Sequence, residues 1–311
     1  MSGDLHVLSA IGGTPLVALR RVVHAGSARV VLKLEGANPT GSMKDRVARA
    51  MVAAAAADGR LKPGGTVVEY TGGSTGVSLA FICAALGYRA RLVSSDAFSE
   101  EKLRSMVAYG AELTVIPSGD RRITETLIRS MIARAQEIAR EPGHWACDQL
   151  GNRDGESGYH GLGEEMWEQA GGRIDAFVQS VGSAHSLHGT AHVLRRHNPK
   201  LHVAAVEPAE SPVLSGGTPG SHRIEGIGIG FVPALWRRDE VHEILTVSTE
   251  DANDMARRLA REEAVFAGTS TGANVVAALR IARRLGPGAT VGAIAVDSGL
   301  RYLSTELYRN A

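Results

Sequence analysis

Short β-branched runs alternate with helix-like patterns along nearly the whole chain. Runs at 30–34, 66–69, 90–94, 113–116, 176–180, 203–207, 244–247 and 291–296 predict strands. Between them, the periodicity predicts helices at 43–57, 75–86, 100–109, 124–139, 158–170, 185–196, 249–263 and 272–285. Such alternation is the mark of parallel βαβ units. Two stretches break the rhythm. Residues 149–157 read as an irregular crossover between lobes, and 211–236, rich in Gly and Pro, as one long loop. Loops of that length in compact domains are often functional.

The 311 residues suffice for two α/β lobes or one large domain. With 37 glycines and 5% aromatics, the chain suits tight strand-to-helix turns better than a β-sandwich. A net charge of +1, with its arginine pairs scattered, makes no case for nucleic acid or an anionic membrane as partner. No apolar stretch approaches the roughly 20 residues that span a bilayer. Residues 1–6 lack the basic start and apolar core of a secretory leader, so a cytoplasmic protein is expected. Cys83 and Cys147 are too few and too far apart for a disulfide framework or a metal knuckle, and no metal site is expected. Cys83 lies in an apolar run and should be a buried structural thiol.

Ligands of open parallel sheets bind at the carboxyl ends of the strands, so the strand-to-helix turns carry the chemistry. The turn Asn38-Pro-Thr-Gly-Ser-Met-Lys44-Asp-Arg46 puts a lysine in the first turn of a helix. There the helix dipole disfavours a cation, and desolvation lowers the amine pKa further. That is the state needed to attack an aldehyde; alone, the turn reads better as a surface lysine at a frayed helix start. Thr71-Gly-Gly-Ser74-Thr75-Gly76 offers backbone N–H groups and hydroxyls to a carboxylate or phosphate, or simply caps a helix. Ser180-Val-Gly182-Ser183-Ala184-His185-Ser186 and Gly268-Thr269-Ser270-Thr271-Gly272 allow the same two readings. A fifth turn, Val296-Asp297-Ser298-Gly299, ends the last strand. So many hydroxyl-rich turns in one chain exceed what capping needs. A GxGxxG with its acidic partner, a GxxxxGK[ST] and HExxH spacing are all lacking, which weakens dinucleotide, P-loop and zinc-hydrolase readings.

In this order the turns resemble the cysteine synthase and cystathionine β-synthase family of fold-type II pyridoxal-phosphate (PLP) enzymes. The likeness runs from Ile11-Gly-Gly-Thr14-Pro15-Leu16 through the Lys44 turn, Thr71–Gly76 and Gln149 to Trp167–Phe177, Glu225-Gly226-Ile227-Gly228-x-Gly230-Phe231 and 268–273. It implies an α/β fold of two open, mostly parallel twisted-sheet lobes with helices on both faces, like the tryptophan synthase β fold. The smaller lobe would span 36–149, the larger 1–35 plus 150–311, with the active site in the cleft between them. By the same resemblance Lys44 forms the cofactor's Schiff base and moves the substrate's α-proton. Gly182, Ser183, Ala184, His185 and Ser186 would hold the phosphate, with Ser74 and Ser270 at the cofactor ring. Thr71, Gly72, Ser74, Thr75, Gln149 and Gly226 would bind the substrate.

The implied reaction is β-replacement on an activated serine such as O-acetylserine, through an aminoacrylate, as in cysteine synthase. A serine/threonine dehydratase, or a β-replacing enzyme making cystathionine or a non-protein amino acid, is the alternative. Ser270 cannot stabilise a protonated pyridine by charge, which favours prompt loss of a β-leaving group over a long-lived carbanion. The family also implies a homodimer acting on a small amino acid and a small nucleophile; with 311 residues, the regulatory domain pair of some cystathionine β-synthases is not expected. Two positions depart from the family pattern. Ser74 stands where an asparagine touches the cofactor, and Gly182-Ser-Ala-His-Ser186 replaces GTGGT. Ala184 and His185 take glycine-type conformations only at a cost, and His185 is expected to add charge at the phosphate.

Overall fold

The computed structural model describes residues 6–119 and 121–309. Residues 1–5, which carry most of the leader expectation, lie outside the described residues. In chain order the first half comprises β1 (Leu16–Ala18), β2 (Arg29–Leu34), α1 (Lys44–Ala57), β3 (Thr66–Tyr70), α2 (Ser74–Leu86), β4 (Arg89–Ser95), α3 (Glu100–Ala108), β5 (Glu112–Ile116), α4 (Glu125–Ile138) and β6 (His144–Ala146). Then follow α5 (His160–Gln169), β7 (Ala176–Ser180), α6 (His185–His197), β8 (His202–Pro208), β9 (Glu243–Val247), α7 (Thr249–Glu263), α8 (Thr269–Leu285) and β10 (Thr290–Ala295).

Every strand and helix expected from the pattern is present, with ends displaced by a few residues. Two strands were not expected. β1 pairs antiparallel with β2, and β6 pairs parallel with β3. Each is a three-residue edge strand, too short to show a period and defined only by its neighbour. The crossover is also more regular than expected, since Arg153–Tyr159 winds into a 3-10 helix before α5. The expected long loop holds no α-helix or strand between β8 and β9.

The strands form a six-stranded sheet, β1-β2-β10-β7-β8-β9, and a four-stranded sheet, β5-β4-β3-β6. All pairs except β1–β2 are parallel. Strands β3, β7 and β10 are buried along their whole length, as parallel strands covered on both faces must be. Cys83 and Cys147 are both buried and unpaired, and burial pushes the Cys83 thiol up to about 12. No helix among the described residues is long and apolar enough to cross a membrane.

Helix α1 is alanine-rich, a strong helix former, and stops where Gly59 takes a φ of +81°. Its start is fixed by charge. Arg46 forks onto Glu35 behind β2, with Nε 2.7 Å from Oε2 and Nη2 2.9 Å from Oε1. It also forks onto Glu165 of α5, at 2.9 and 2.8 Å. Lys33 reaches Glu165 at 2.7 Å and the Thr14 carbonyl at 2.6 Å. Arg46, Glu35 and Lys33 are all buried, so each carries a desolvation cost that only its partners offset. Burial alone would raise the Glu165 carboxyl, but the hydrogen bonds from Arg46 and Lys33 hold it at about 2.

Two outcomes follow. Arg46→Met leaves the Glu35 carboxylate buried without its partner and is expected to cost about 3–5 kcal/mol in denaturant unfolding. Because the folded-state pKa of Glu165 lies below its ordinary 4.5, its contribution is complete above that pH and is lost as pH falls toward about 2. Glu165→Gln is therefore expected to flatten the stability–pH curve across that window; an unchanged acid limb would contradict the assignment.

Candidate active site

Five strand ends or helix starts meet in one cleft, which residues from all five turns line. β2 leads into α1, β3 into α2, β7 into α6 and the last strand into 296–298, while the start of α8 supplies the fifth turn. The cleft is thus lined from both sheets. Phe98, Ile123, Ile128, Leu150, Ile227 and Ile229 give it apolar walls.

Lys44 is the first residue of α1 and opens into the cleft. Its backbone is tied to the end of β10, with Met43 N–H donating to the Val296 carbonyl at 2.9 Å and Ser298 N–H to the Gly41 carbonyl at 2.9 Å. Thr40 donates to the Asp45 carboxylate through its N–H at 2.8 Å and its hydroxyl at 2.6 Å, closing the turn before the helix. Burial lowers the Lys44 amine from 10.5 to about 8; Asp297 opposes this and Lys102 adds to it. A useful fraction of the amine is therefore uncharged near neutrality.

The loop after β3 is turned by Gly73 at φ +117°. Thr71 is fully buried, and its hydroxyl accepts from the N–H groups of Gly73 at 3.0 Å and Gly76 at 2.9 Å. It shapes the loop from behind while Gly72, Ser74 and Thr75 line the cleft. Thr75 donates to Gln149 Oε1 at 2.8 Å, and Gln149 Nε2 donates to the Tyr70 carbonyl at 2.9 Å. Behind them Gln149 N–H donates to Glu69 at 2.9 Å, and burial pushes that carboxyl up to about 8. Gly226 lines the opposite wall, where its carbonyl leaves no room for a side chain at Gly182.

In the loop before α6, Gly182, Ser183 and Ser186 face the cleft, whereas Ala184 and His185 do not line it. Ala184 does adopt the glycine-type conformation, at φ +76°. His185 stays helical and turns away, 2.7 Å from the Asn152 carbonyl and 2.9 Å from Ser183 Oγ. Burial lowers its pKa to about 4. Burial, with Lys44 adding to it, thus disfavours a charged ring in these surroundings. Ser270, in the first turn of α8, is 2% exposed and lines the cleft.

Four further residues of the site were given no role in the sequence reading. Lys102 and Glu225 form a buried pair at 2.6 Å, with the amine 4.0 Å above the Tyr302 ring. Tyr302 Oη donates to Asp297 Oδ2 at 2.7 Å, and Ser74 Oγ donates to the same oxygen at 3.2 Å. All four line the cleft. The turn holding Asp297 was visible in sequence, but Lys102 reads there as an ordinary charge on a helix face.

The comparisons agree with this geometry. The family profile described as pyridoxal-phosphate dependent enzyme matches residues 7–297. A cysteine synthase of Staphylococcus aureus (strain Mu50 / ATCC 700699) is 42% identical over 306 residues, covering 97% of this chain and 96% of its own. Among solved structures, an O-ureido-L-serine synthase matches with a TM-score of 0.91 at 36% identity, covering 99% of this chain and 96% of its own. A cysteine synthase from Entamoeba histolytica gives a TM-score of 0.91 at 35% identity over 99% of this chain and 91% of its own. With residues 7–297 matched by that profile and a relative 42% identical over 97% of its length, this chain belongs to the pyridoxal-phosphate dependent enzyme family.

Proposed function

We propose that this protein catalyses β-replacement on an activated serine such as O-acetylserine, as a cysteine synthase does. The observation that carries the reading is Lys44, whose amine has a pKa of about 8 and opens into a cleft walled by hydroxyl-bearing helix starts. The site also fits the cofactor by what it leaves unsatisfied. Ser180 Oγ and Asp297 Oδ1 are buried without a hydrogen-bond partner, and both residues line the cleft. Buried polar atoms without partners are rare and ask for one.

Pyridoxal phosphate, when bound, supplies an electron sink that acidifies the substrate's α-carbon and lets the β-substituent depart. Lys44 would hold its aldehyde carbon, Ser270 would face the ring nitrogen with Ser74 nearby, and 182–186, including Ala184 and His185, would cradle its phosphate. Ser186 accepts from Gln179 Nε2 at 3.0 Å, so its own proton stays free to donate. Gly72, Ser74, Thr75 and Gln149 would grip the substrate carboxylate, with Thr71 fixing the loop and Gly226 closing the far side. Lys44 Nζ then takes the α-proton, being close to half deprotonated near pH 8. The apolar side chains of Phe98, Ile123, Ile128, Leu150, Ile227 and Ile229 would limit water at the reacting carbon, favouring replacement over deamination.

In this reading the lobes are 36–149 and 1–35 plus 150–311, supported by the division of strands between the two sheets. Homodimeric assembly and a cytoplasmic location belong to it too, and rest on the family resemblance.

Lys44→Ala is expected to remove the holoenzyme's visible absorbance band and its turnover while far-ultraviolet circular dichroism stays unchanged. Full activity in that variant would overturn the mechanism. O-Acetylserine added to the wild-type holoenzyme without a nucleophile is expected to move the band to longer wavelength, and sulfide to restore it with release of cysteine. If no activated serine moves the band, β-replacement is the wrong reaction.

A further inference from the structure

His185 is 3% exposed, yet both of its ring nitrogens have partners, and those partners dictate where its proton sits. The Asn152 carbonyl is only an acceptor, so Nε2, 2.7 Å away, carries the hydrogen. In the neutral ring Nδ1 is then a bare lone pair, and Ser183 Oγ at 2.9 Å must donate to it. A hydroxyl has one proton. While Ser183 spends it on His185, the oxygen that faces the cleft shows only lone pairs, which repel an anion.

We propose that His185 is a proton-carrying part of the cofactor-phosphate site: when the phosphate binds, Nδ1 takes a proton from solvent and the Ser183 hydroxyl swings from His185 to the phosphate. The inference rests on reading 182–186 as the phosphate loop. After the exchange every contact is satisfied, with Nε2–H on the Asn152 carbonyl, Nδ1–H on Ser183 Oγ, and Ser183 O–H on a phosphate oxygen. Without it, a hydroxyl turned to the phosphate would set two lone pairs against each other at 2.9 Å.

The charged groups around His185 leave the outcome to the phosphate. Lys44 on α1 disfavours an imidazolium, as does His188 one turn along α6, while Glu156 on the Arg153–Tyr159 turn favours it. Glu156 is shared with Arg237, and His188 with Glu240, so neither dominates. A nearby dianion is the one group strong enough to reverse the effect of burial. The ring cannot move off instead. Gly155 packs so closely that an added Cβ would lie 2.9 Å from His185 Nε2 and 2.6 Å from Val47. Asn152 is itself held, its Nδ2 donating to the Cys147 carbonyl at 3.0 Å two residues before Gln149. The phosphate loop is thereby joined by hydrogen bonds to the segment that carries Gln149.

Nitrogen-15 NMR of the holoenzyme, labelled in histidine, reads the exchange directly. At pH 7.5 the His185 signals, identified by their loss in His185→Gln, are expected at imidazolium positions for both ring nitrogens. Ser183→Ala perturbs the same signals and serves for assignment if the glutamine variant does not fold. Cofactor retention on dilution is the second readout. Between the free-state pKa of His185, about 4, and its higher bound-state pKa, wild-type affinity should fall about tenfold more for each unit rise in pH than that of His185→Gln, the slope of one proton, and the excess should vanish above the bound-state value. A neutral His185, with one protonated and one bare nitrogen in the holoenzyme, would overturn the proposal, as would equal slopes in the two proteins. Neither readout depends on turnover, so a failed band shift with O-acetylserine counts against β-replacement and not against this exchange.

Discussion

One guanidinium holds the site together. Arg46 lies two residues beyond Lys44 and is clamped by two carboxylates, Glu35 behind β2 and Glu165 on α5. Pairs this deeply buried contribute little net stability, because desolvation consumes most of the attraction. Their use is positional. A flat fork gripping two carboxylates admits one orientation of the first turn of α1, and with it one direction for Lys44. The ties from Met43 and Ser298 to the end of β10 complete the placement.

Around that point the architecture is economical in its means. Parallel strands end on one side of each sheet, and the helix starts that follow present unpaired N–H groups to the same space. Two sheets facing each other double the supply. The Thr71 loop comes from the smaller sheet, the Ser183 loop and Ser270 from the larger, and Gln149 from the connection between them. Hydroxyls and glycines predominate because backbone must approach a ligand closely. Charge is kept to Lys44, Asp297 and the Lys102–Glu225 pair.

Most of this was legible in the chain. Long periodic segments such as α7 and α8, and β-branched runs such as β7, announce themselves, and the motif order points to the family before any coordinates do. What escaped is non-local. β1 and β6 exist because a neighbouring strand offers a ladder, not through any pattern in three residues. Lys102 looks like a solvated charge until α3 is laid against 225 and Tyr302. The bearing of His185 depends on Asn152, distant in the chain, so its charge state could not be read from the loop that contains it. Thr71 also braces its own loop by accepting from two of its N–H groups, a part that only hydrogen-bond geometry reveals.

The two cysteines close the account from another direction. Both are buried without a disulfide, and the medium around Cys83 pushes its ionisation up to about 12. Thiolate is the reactive form, and here almost none exists near neutrality. Free thiols scramble sulfur–sulfur bonds, and oxidants attack exposed thiolates. By keeping its own thiols protonated and out of reach, this fold makes them poor partners for mixed disulfides.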